Sequence, residues 1–305
     1  MTSETSAAPQ LIATCWVSAG DTAPGRPDET SPIPIQERIN LIAQTGWSGI
    51  GLVHHDLLHA RRTIGYAELG RMIREAGIGI IEVEFLNGWW ATGAERTESD
   101  IQRAELFEAA KALGARHIKV GAGMTDNPLP LSTMASAFSD LAEEAAESGI
   151  RLALEATPFS HLRTAQEAVK VVTYSDSPAA GLMIDIWHTH RSGLSHDDLW
   201  DVVPMDRVFA VEIDDGYKDV VGTIFEDTIN NRAYCGEGDF DTRTFIQRTL
   251  DAGYRGPWGV EIISAEHRSL PVAEGLKRAY ETAINCFPAL SSHAERPTGL
   301  SRHSD

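Results

Sequence analysis

The chain has 305 residues, of which 42% are hydrophobic and 23% charged, values typical of a folded globular protein with a continuous core. A formal net charge of -18 at pH 7 repels phosphate backbones and anionic lipid, which argues against nucleic acid or a membrane as partner. The three cysteines, Cys15, Cys235 and Cys286, are far apart, so no disulfide framework or Cys-x-x-Cys zinc site is available. With no secretory signal or membrane-spanning stretch apparent, we expect a cytoplasmic protein.

A repeated unit organises the chain: an amphipathic segment ends in Gly and a short apolar run follows. The glycines that end these segments are Gly46, Gly77, Gly114, Gly149 and Gly253. A Gly after the last helical turn supplies the left-handed residue that closes a helix, so each unit predicts a helix-to-strand joint. Further apolar runs at 11–15, 181–185 and 208–213 raise the strand count to about eight.

This alternation predicts a single (β/α)8 TIM barrel over residues 10–288, preceded by a disordered segment 1–9 and followed by a flexible tail 289–305. A doubly wound open sheet is the alternative, but its usual Gly-x-Gly-x-x-Gly after the first strand is absent. The long connections 17–34, 121–130 and 216–239 follow strands, and we expect them on the catalytic face as lids or partner surfaces.

Four predicted strands end in acidic residues that an apolar core would not contain: Glu155, Asp185, Glu212 and Glu261. A buried carboxylate must be paired or bind a cation, and the last four strands of a barrel are neighbours. Any one of the four taken alone is more often a solvated strand end or an ion-pair partner. Together they predict a divalent metal site, in which oxygen ligands favour Mn²⁺ or Mg²⁺ and an added nitrogen ligand would admit Co²⁺ or Zn²⁺.

The chain resembles the sugar phosphate isomerase/epimerase family, whose members have a xylose isomerase-like barrel. The resemblance spans residues 10–288 and rests on Leu154-Glu155, Ile184-Asp185-Ile186-Trp187-His188, Gly236-Glu237-Gly238-Asp239-Phe240-Asp241 and Gly259-Val260-Glu261. It implies that Glu155, Asp185 and Glu261 hold the metal and that His188 contacts a substrate oxygen. The family commonly has His where this chain has Glu212, so an all-carboxylate site with Mn²⁺ is expected, and Glu212 could instead bind substrate or a neighbouring Arg.

The chemistry implied is proton abstraction next to a carbonyl, with Glu155 and Glu261 as base and acid on the two faces of the substrate. One outcome is isomerisation or epimerisation of a ketose, keto-inositol or oxo-sugar. The alternative is a lyase that eliminates a substituent from a 3-oxo sugar, either a C-glycoside deglycosidase barrel subunit or a keto-inositol or dehydroshikimate-type dehydratase. A repair endonuclease conflicts with the net charge and the shortage of His ligands, and a metal-free binding module is the remaining alternative.

Several residues near predicted strand ends are candidates for substrate binding, each with a structural alternative. Trp16 and Trp90 would stack on a sugar ring or aglycone or pack at the rim, and Lys119, Arg191 and Arg232 would bind substrate or balance the acidic cluster. Further candidates that the sequence does not separate from structural roles are Glu84, His54, His55, His161 and His190. By family analogy we expect a carbohydrate or glycoside substrate and a homo-oligomer, or a hetero-oligomer with a small partner subunit for a deglycosidase.

Overall fold

The computed structural model describes residues 8–288, which form a closed barrel of eight parallel strands in the order β1 to β8. The strands are β1 (Leu11–Ala13), β2 (Gly49–Val53), β3 (Ile80–Leu86), β4 (Ile118–Val120), β5 (Leu152–Glu155), β6 (Ala180–Asp185), β7 (Val208–Ile213) and β8 (Trp258–Val260). The predicted barrel is therefore confirmed and the open sheet is excluded. The predicted tail 289–305 and all but the last two residues of the segment 1–9 lie outside the described residues.

Helices follow the strands around the outside of the barrel. They are α1 (Cys15–Ser18), α2 (Ile35–Thr45), α3 (His54–Thr63), α4 (Tyr66–Glu75), α5 (Gly93–Leu113), α6 (Leu131–Glu147), α7 (Ala165–Ser175), α8 (Ile186–Arg191), α9 (His196–Val202), α10 (Ile224–Asn230), α11 (Thr242–Asp251), α12 (Ala265–Ser269) and α13 (Val272–Ile284), with a 3₁₀ turn at Met205–Arg207. None of the helices between residues 8 and 288 is long and apolar enough to cross a membrane.

The five glycines predicted to close helices all have positive φ, between 67° and 101°. They are Gly46, Gly77, Gly114, Gly149 and Gly253. Each lies one or two residues after a helix and shortly before the next strand. The glycines that indicate the repeating unit in the sequence are therefore the residues at which the backbone adopts the left-handed conformation.

Two predicted segments differ from the structure. The apolar run at 11–15 yields only a three-residue strand, because Cys15 already begins α1. The connection 216–239 is not a continuous loop, since it contains α10. That helix begins at a capping box in which the Thr223 hydroxyl accepts the Glu226 N–H and the Glu226 carboxylate accepts the Thr223 N–H.

The main hydrophobic cluster fills the space between the barrel and the helices, whereas the inside of the barrel is partly polar. Strand alternation places Ala153, Met183 and Ala210 on the inward side of β5, β6 and β7, and these three form a small separate cluster with Phe209. Two residues further along each strand, on the same inward side, lie the acidic residues Glu155, Asp185 and Glu212. A thin apolar layer therefore supports a charged layer inside the barrel.

The interior allows very little space at Gly51 on β2. A Cβ at this position would lie 2.6 Å from the Cys15 amide nitrogen and 3.0 Å from Thr14 Cα. We expect Gly51→Ala to lower the free energy of unfolding by about 1–3 kcal/mol, since backbone atoms must move. Urea denaturation measures this. Gly79→Ala is the control, because a Cβ at Gly79 meets nothing within 4 Å, and equal effects of the two substitutions would contradict the packing argument.

Glu82 on β3 predicts a pH-dependent stability. It is 5% exposed, Arg116 Nη1 lies 3.4 Å from its carboxylate, and burial raises its pKa from 4.5 to about 7. The folded protein therefore keeps this proton to a higher pH than the unfolded chain does. The contribution of the protonated Glu82 carboxyl to the free energy of unfolding is complete below about pH 4.5 and is lost as pH rises towards 7. Glu82→Gln cannot titrate. We expect its free energy of unfolding, relative to that of the wild type, to increase by up to about 3 kcal/mol as the pH rises from 5 to 8. Parallel curves of unfolding free energy against pH would contradict it.

Candidate active site

Four carboxylates converge at the carboxyl ends of the last four strands. Glu155 and Asp185 are the final residues of β5 and β6, Glu212 lies in β7, and Glu261 directly follows β8. All are buried, with 1–4% exposure, and Asp185 and Glu212 are paired across neighbouring strands. One oxygen each of Asp185, Glu212 and Glu261 lie within 4.8 Å of one another, as do ligand atoms of Glu155, Asp185 and His188. The structure thus brings the four predicted ligands together, while their role as ligands stays a prediction.

Two buried cations stand among these carboxylates. Lys119 Nζ lies 2.7 Å from Glu212 Oε1, 2.9 Å from Glu261 Oε1 and 3.2 Å from Glu84 Oε2. Burial opposes the charge on Lys119, but Glu212 and Glu261 outweigh it and raise the lysine pKa well above its ordinary value. Burial and Glu261 raise the pKa of Glu212, and the Lys119 ammonium opposes that shift.

Arg232 is the second cation and enters from the connection after α10. Its Nη1 donates to Asp185 Oδ2 at 2.7 Å and to Asp214, and it lies 3.2 Å from Glu261 Oε2. Its Nε and Nη2 also donate to the Thr228 hydroxyl. Burial would raise the pKa of Asp185, but the Arg232 guanidinium holds it below its ordinary value. Arg232 is therefore bound within the site by at least three acidic groups.

His188 lies in the site because Asp185 caps the short helix α8. The Asp185 Oδ1 atom accepts the N–H groups of Trp187 and His188, at 2.5 Å and 3.3 Å. The His188 Nε2 atom faces Arg232 Nη2 at 3.2 Å and lies 3.9 Å from Glu155 Oε1. Burial lowers the pKa of His188 to about 4, so the ring is neutral and accepts from Arg232 through Nε2.

Glu155 has a buried Oε1 atom to which no described residue donates, and no lysine or arginine of residues 8–288 lies within ion-pair distance of its carboxylate. Burial raises its pKa to about 8. The site as a whole holds six buried carboxylates, those of Glu84, Glu155, Asp185, Glu212, Asp214 and Glu261, against the two cations Lys119 and Arg232. An unpaired buried carboxylate oxygen and an excess of negative charge are what a divalent cation would satisfy, so the residues present fit a metal.

The Gly236 to Asp241 motif supports the site from a distance. The Asp215 carboxylate accepts the N–H groups of Gly216, Gly236 and Phe240, and Asp241 caps α11. Gly238 has no room for a side chain, since a Cβ would lie 2.4 Å from the Gly216 carbonyl oxygen. The motif therefore fixes the connection after β7 rather than contacting the carboxylate cluster.

Arg191, predicted as a substrate-binding residue, is engaged with the same connection. Its Nη2 donates to the Tyr217 carbonyl and to Asp227 Oδ2, both at 2.7 Å, and its Nη1 donates to the Lys218 carbonyl at 3.1 Å. Its side chain is only 6% exposed. These contacts tie α8 to the connection before α10, and substrate binding by Arg191 stays a prediction.

The tryptophans at the strand ends occupy different environments. Trp16 is 7% exposed and packs with Val53 and Ile263. Trp90 is half-buried, and its ring meets His161 edge-on with centroids 5.1 Å apart. Of the two, Trp90 keeps more surface for a ligand.

The other candidate histidines have local partners. His54 Nε2 lies 2.8 Å from Glu105 Oε2, His55 accepts the Glu29 N–H, His161 accepts the Leu129 N–H, and His190 stacks on Phe240 with centroids 3.7 Å apart.

Three site features were not singled out from the sequence. Asp214 contacts Arg232, and its position directly after β7 beside Asp215 was the available signal. Phe159 lies edge-on to both His188 and Phe225, with centroids 6.0 Å and 5.5 Å apart, and forms an aromatic wall beside the histidine. Neither phenylalanine was recognisable from the sequence. Phe159 lies in a turn and Phe225 in the short helix α10, so no strand or helix period marks them, and their contact joins distant segments of the chain.

Removal of the Arg232 side chain is expected to lower the free energy of unfolding. Arg232→Met leaves Asp185, Asp214 and Glu261 without their shared cation, and breaking a buried ion pair costs about 3–5 kcal/mol. Chemical denaturation of the chelated protein measures the loss. Arg71→Met is the control, because Arg71 is 50% exposed and its pairs with Glu68 and Glu75 are solvated, so little change is expected. Similar losses in both variants would show that Arg232 does not neutralise the site.

Comparison with curated proteins finds enzymes. The chain is 26% identical over 254 residues to a 3-dehydroshikimate dehydratase of Pseudomonas putida, covering 80% of this chain and 39% of that protein. It is 23% identical over 185 residues to an inosose isomerase of Bacillus licheniformis, covering 59% of this chain and 65% of that protein. The chain thus spans about two fifths of the length of the dehydratase.

A solved structure of an IOLI protein with a binding zinc atom superposes with a TM-score of 0.75 at 18% identity, covering 93% of this chain and 99% of that one. This likeness concerns the fold alone. The family model for the xylose isomerase-like TIM barrel matches residues 39–284, a span that includes all four convergent carboxylates. The chain therefore belongs to the xylose isomerase-like TIM barrel family.

Proposed function

We propose that the chain is a divalent-metal-dependent isomerase or epimerase that moves a proton next to a carbonyl of a ketose, keto-inositol or oxo-sugar. The observation that carries this proposal is the buried cluster of Glu155, Asp185, Glu212 and Glu261, which has more negative charge than Lys119 and Arg232 neutralise. The inosose isomerase among the relatives supports the substrate class.

The metal would be held by Glu155, Asp185 and Glu261, with Glu212 beside them and paired to Lys119. An all-oxygen set favours Mn²⁺, with Mg²⁺ or Co²⁺ as alternatives, whereas zinc favours sites richer in nitrogen or sulfur. The zinc atom of the IOLI structure makes zinc the relevant competitor in a binding test. A bound divalent cation supplies Lewis-acid polarisation of the substrate carbonyl and stabilises negative charge that develops on its oxygen.

Glu155 is the residue best placed to move the proton. Its Oε1 atom has no donor among the described residues, whereas Glu261 faces Lys119 with one oxygen and Arg232 with the other. Glu155 would take the proton from the carbon next to the carbonyl, and Glu261 would act on the opposite face. Return of a proton to the other face gives an epimer, and return to the neighbouring carbon, with transfer of the hydroxyl proton, gives an isomer.

His188 would orient the substrate. The Arg232 guanidinium faces its Nε2, and its Nδ1 is buried with no partner among the described residues. A neutral ring with a protonated Nδ1 would donate to a substrate hydroxyl or carbonyl oxygen. Phe159 at the ring edge and half-buried Trp90 would cover the apolar face of a carbohydrate ring.

A lyase is the second candidate, because the dehydratase relatives match the larger share of this chain. The first step would be the same proton abstraction by Glu155. The hydroxyl on the β carbon would then leave with a proton as water while the electron pair forms a carbon–carbon double bond. Isomerisation and elimination thus share proton removal and differ in the step after it.

The decisive experiment tracks deuterium from D₂O into ketohexoses, a keto-inositol and 3-dehydroshikimate, using protein purified without chelator and analysed for bound metals. We expect exchange that requires Mn²⁺ or Mg²⁺ and falls by about 10²-fold or more in Glu155→Gln, because the base is lost. Glu147→Gln, on an exposed position at the end of α6, should retain full activity.

The product separates the two candidates: an epimer or isomer identifies the first, and loss of water identifies the lyase. A protein that binds no metal and exchanges deuterium with no substrate would overturn both.

A further inference from the structure

Lys119 is an unusual residue for the inside of a barrel. It lies on the short strand β4, is 3% exposed, and contacts carboxylates from three other parts of the barrel, Glu84, Glu212 and Glu261. A buried ammonium is unfavourable unless it is paired, so these contacts are what keep it inside. The sequence alone left Lys119 open between substrate binding and an ion pair.

Its contact with Glu212 is the most complete of the three. Both oxygens of Glu212 lie close to Lys119 Nζ, at 2.7 Å and 2.8 Å. Lys119 is also the one cation within ion-pair distance of Glu212 in the described part of the chain. By contrast, Glu261 divides its oxygens between Lys119 and Arg232, and Glu84 is more distant.

The backbone of β8 fixes this arrangement. Gly259 lies level with Glu212 on the neighbouring strand, and a Cβ there would lie 2.6 Å from Glu212 Cγ. The Glu212 side chain therefore lies flat against a glycine on its way to Lys119. The register of β7 with β8 and the absence of a side chain at Gly259 together direct the Glu212 carboxylate to the Lys119 ammonium.

We propose that Lys119 is a positioning residue that serves as the internal counter-ion of Glu212, so that the charge available to the metal comes from Glu155, Asp185 and Glu261. The inference rests on the proposed metal-dependent function and refines it. Lys119 and Glu212 form a pair with no net charge beside the ion. The net negative charge of the site is therefore smaller than the number of carboxylates suggests. Lys119 therefore sets how strongly the site binds a divalent cation.

A cycle of charge variants tests this by calorimetric titration of Mn²⁺ into metal-free protein. Glu212→Gln removes the carboxylate with the closest contacts to Lys119, so less of the ammonium charge is compensated near the ion, and it should raise the Mn²⁺ dissociation constant about tenfold or more. Lys119→Met frees the Glu212 charge and should lower the constant by a similar factor. The double variant K119M/E212Q removes both charges and should bind within about threefold of the wild type, since a neutral pair has been replaced by a neutral pair.

A second double variant controls for net charge. K119M/E84Q has the same net charge as K119M/E212Q but leaves Glu212 charged and unpaired, so it should bind Mn²⁺ about as tightly as K119M. If K119M/E212Q does not fold, as judged by its thermal transition without metal, K119Q/E212Q answers the same question. The conservative Lys119→Arg keeps the charge and should stay close to the wild type.

The outcomes are distinct. If K119M/E212Q binds as weakly as E212Q, Glu212 is itself a ligand and the inference is overturned. If the two double variants bind equally, net charge rather than the specific pair controls affinity, and the inference is again overturned. A wild-type protein that binds no Mn²⁺ would refute the proposed function itself, and with it the inference.

Discussion

Burial of like charges at one end of the barrel is the constraint on which the site depends. Six carboxylates lie among two cations in a space with almost no solvent exposure. Such an arrangement is unfavourable unless cations, protons or both compensate it, and both kinds of compensation are visible. Lys119 lies among the carboxylates on one side and Arg232 on the other, and burial raises the pKa of Glu155 to about 8, which favours a proton on this carboxyl.

The scaffold holds this unfavourable layer through strand register, packing and hydrogen bonds around it. The strands keep the acidic residues in register, and the apolar residues Ala153, Met183 and Ala210 lie on the same side of β5, β6 and β7. After β7, Asp215 binds three backbone N–H groups of the following connection and so holds the chain that carries Arg232. The binding of Arg191 to Asp227 secures the opposite side of that connection. Asp215 and Arg191 thus hold the connection that carries Arg232.

Much of the architecture was predictable from local signals. Helix-closing glycines such as Gly46 and Gly253 indicate the repeating unit because a left-handed residue is a local property of the backbone. The acidic strand ends at Glu155, Asp185 and Glu261 were recognisable because a carboxylate following an apolar run conflicts with the core. Helix α10 was missed, although its capping box Thr223 and Glu226 is present in the sequence, because a short helix in a polar segment has little apolar periodicity.

The sequence by itself determined the barrel, its repeating unit and the four carboxylates at the ends of successive strands, because each depends on neighbouring residues or on a fixed strand period. The tertiary structure alone decided which charges meet. Lys119 and Glu212 are 93 residues apart, and Arg232 reaches Asp185 across 47 residues. Barrel closure and strand stagger create these pairs, and no local pattern records them. The four carboxylates at the strand ends could therefore be read from the chain, whereas the cations that pair with them could not.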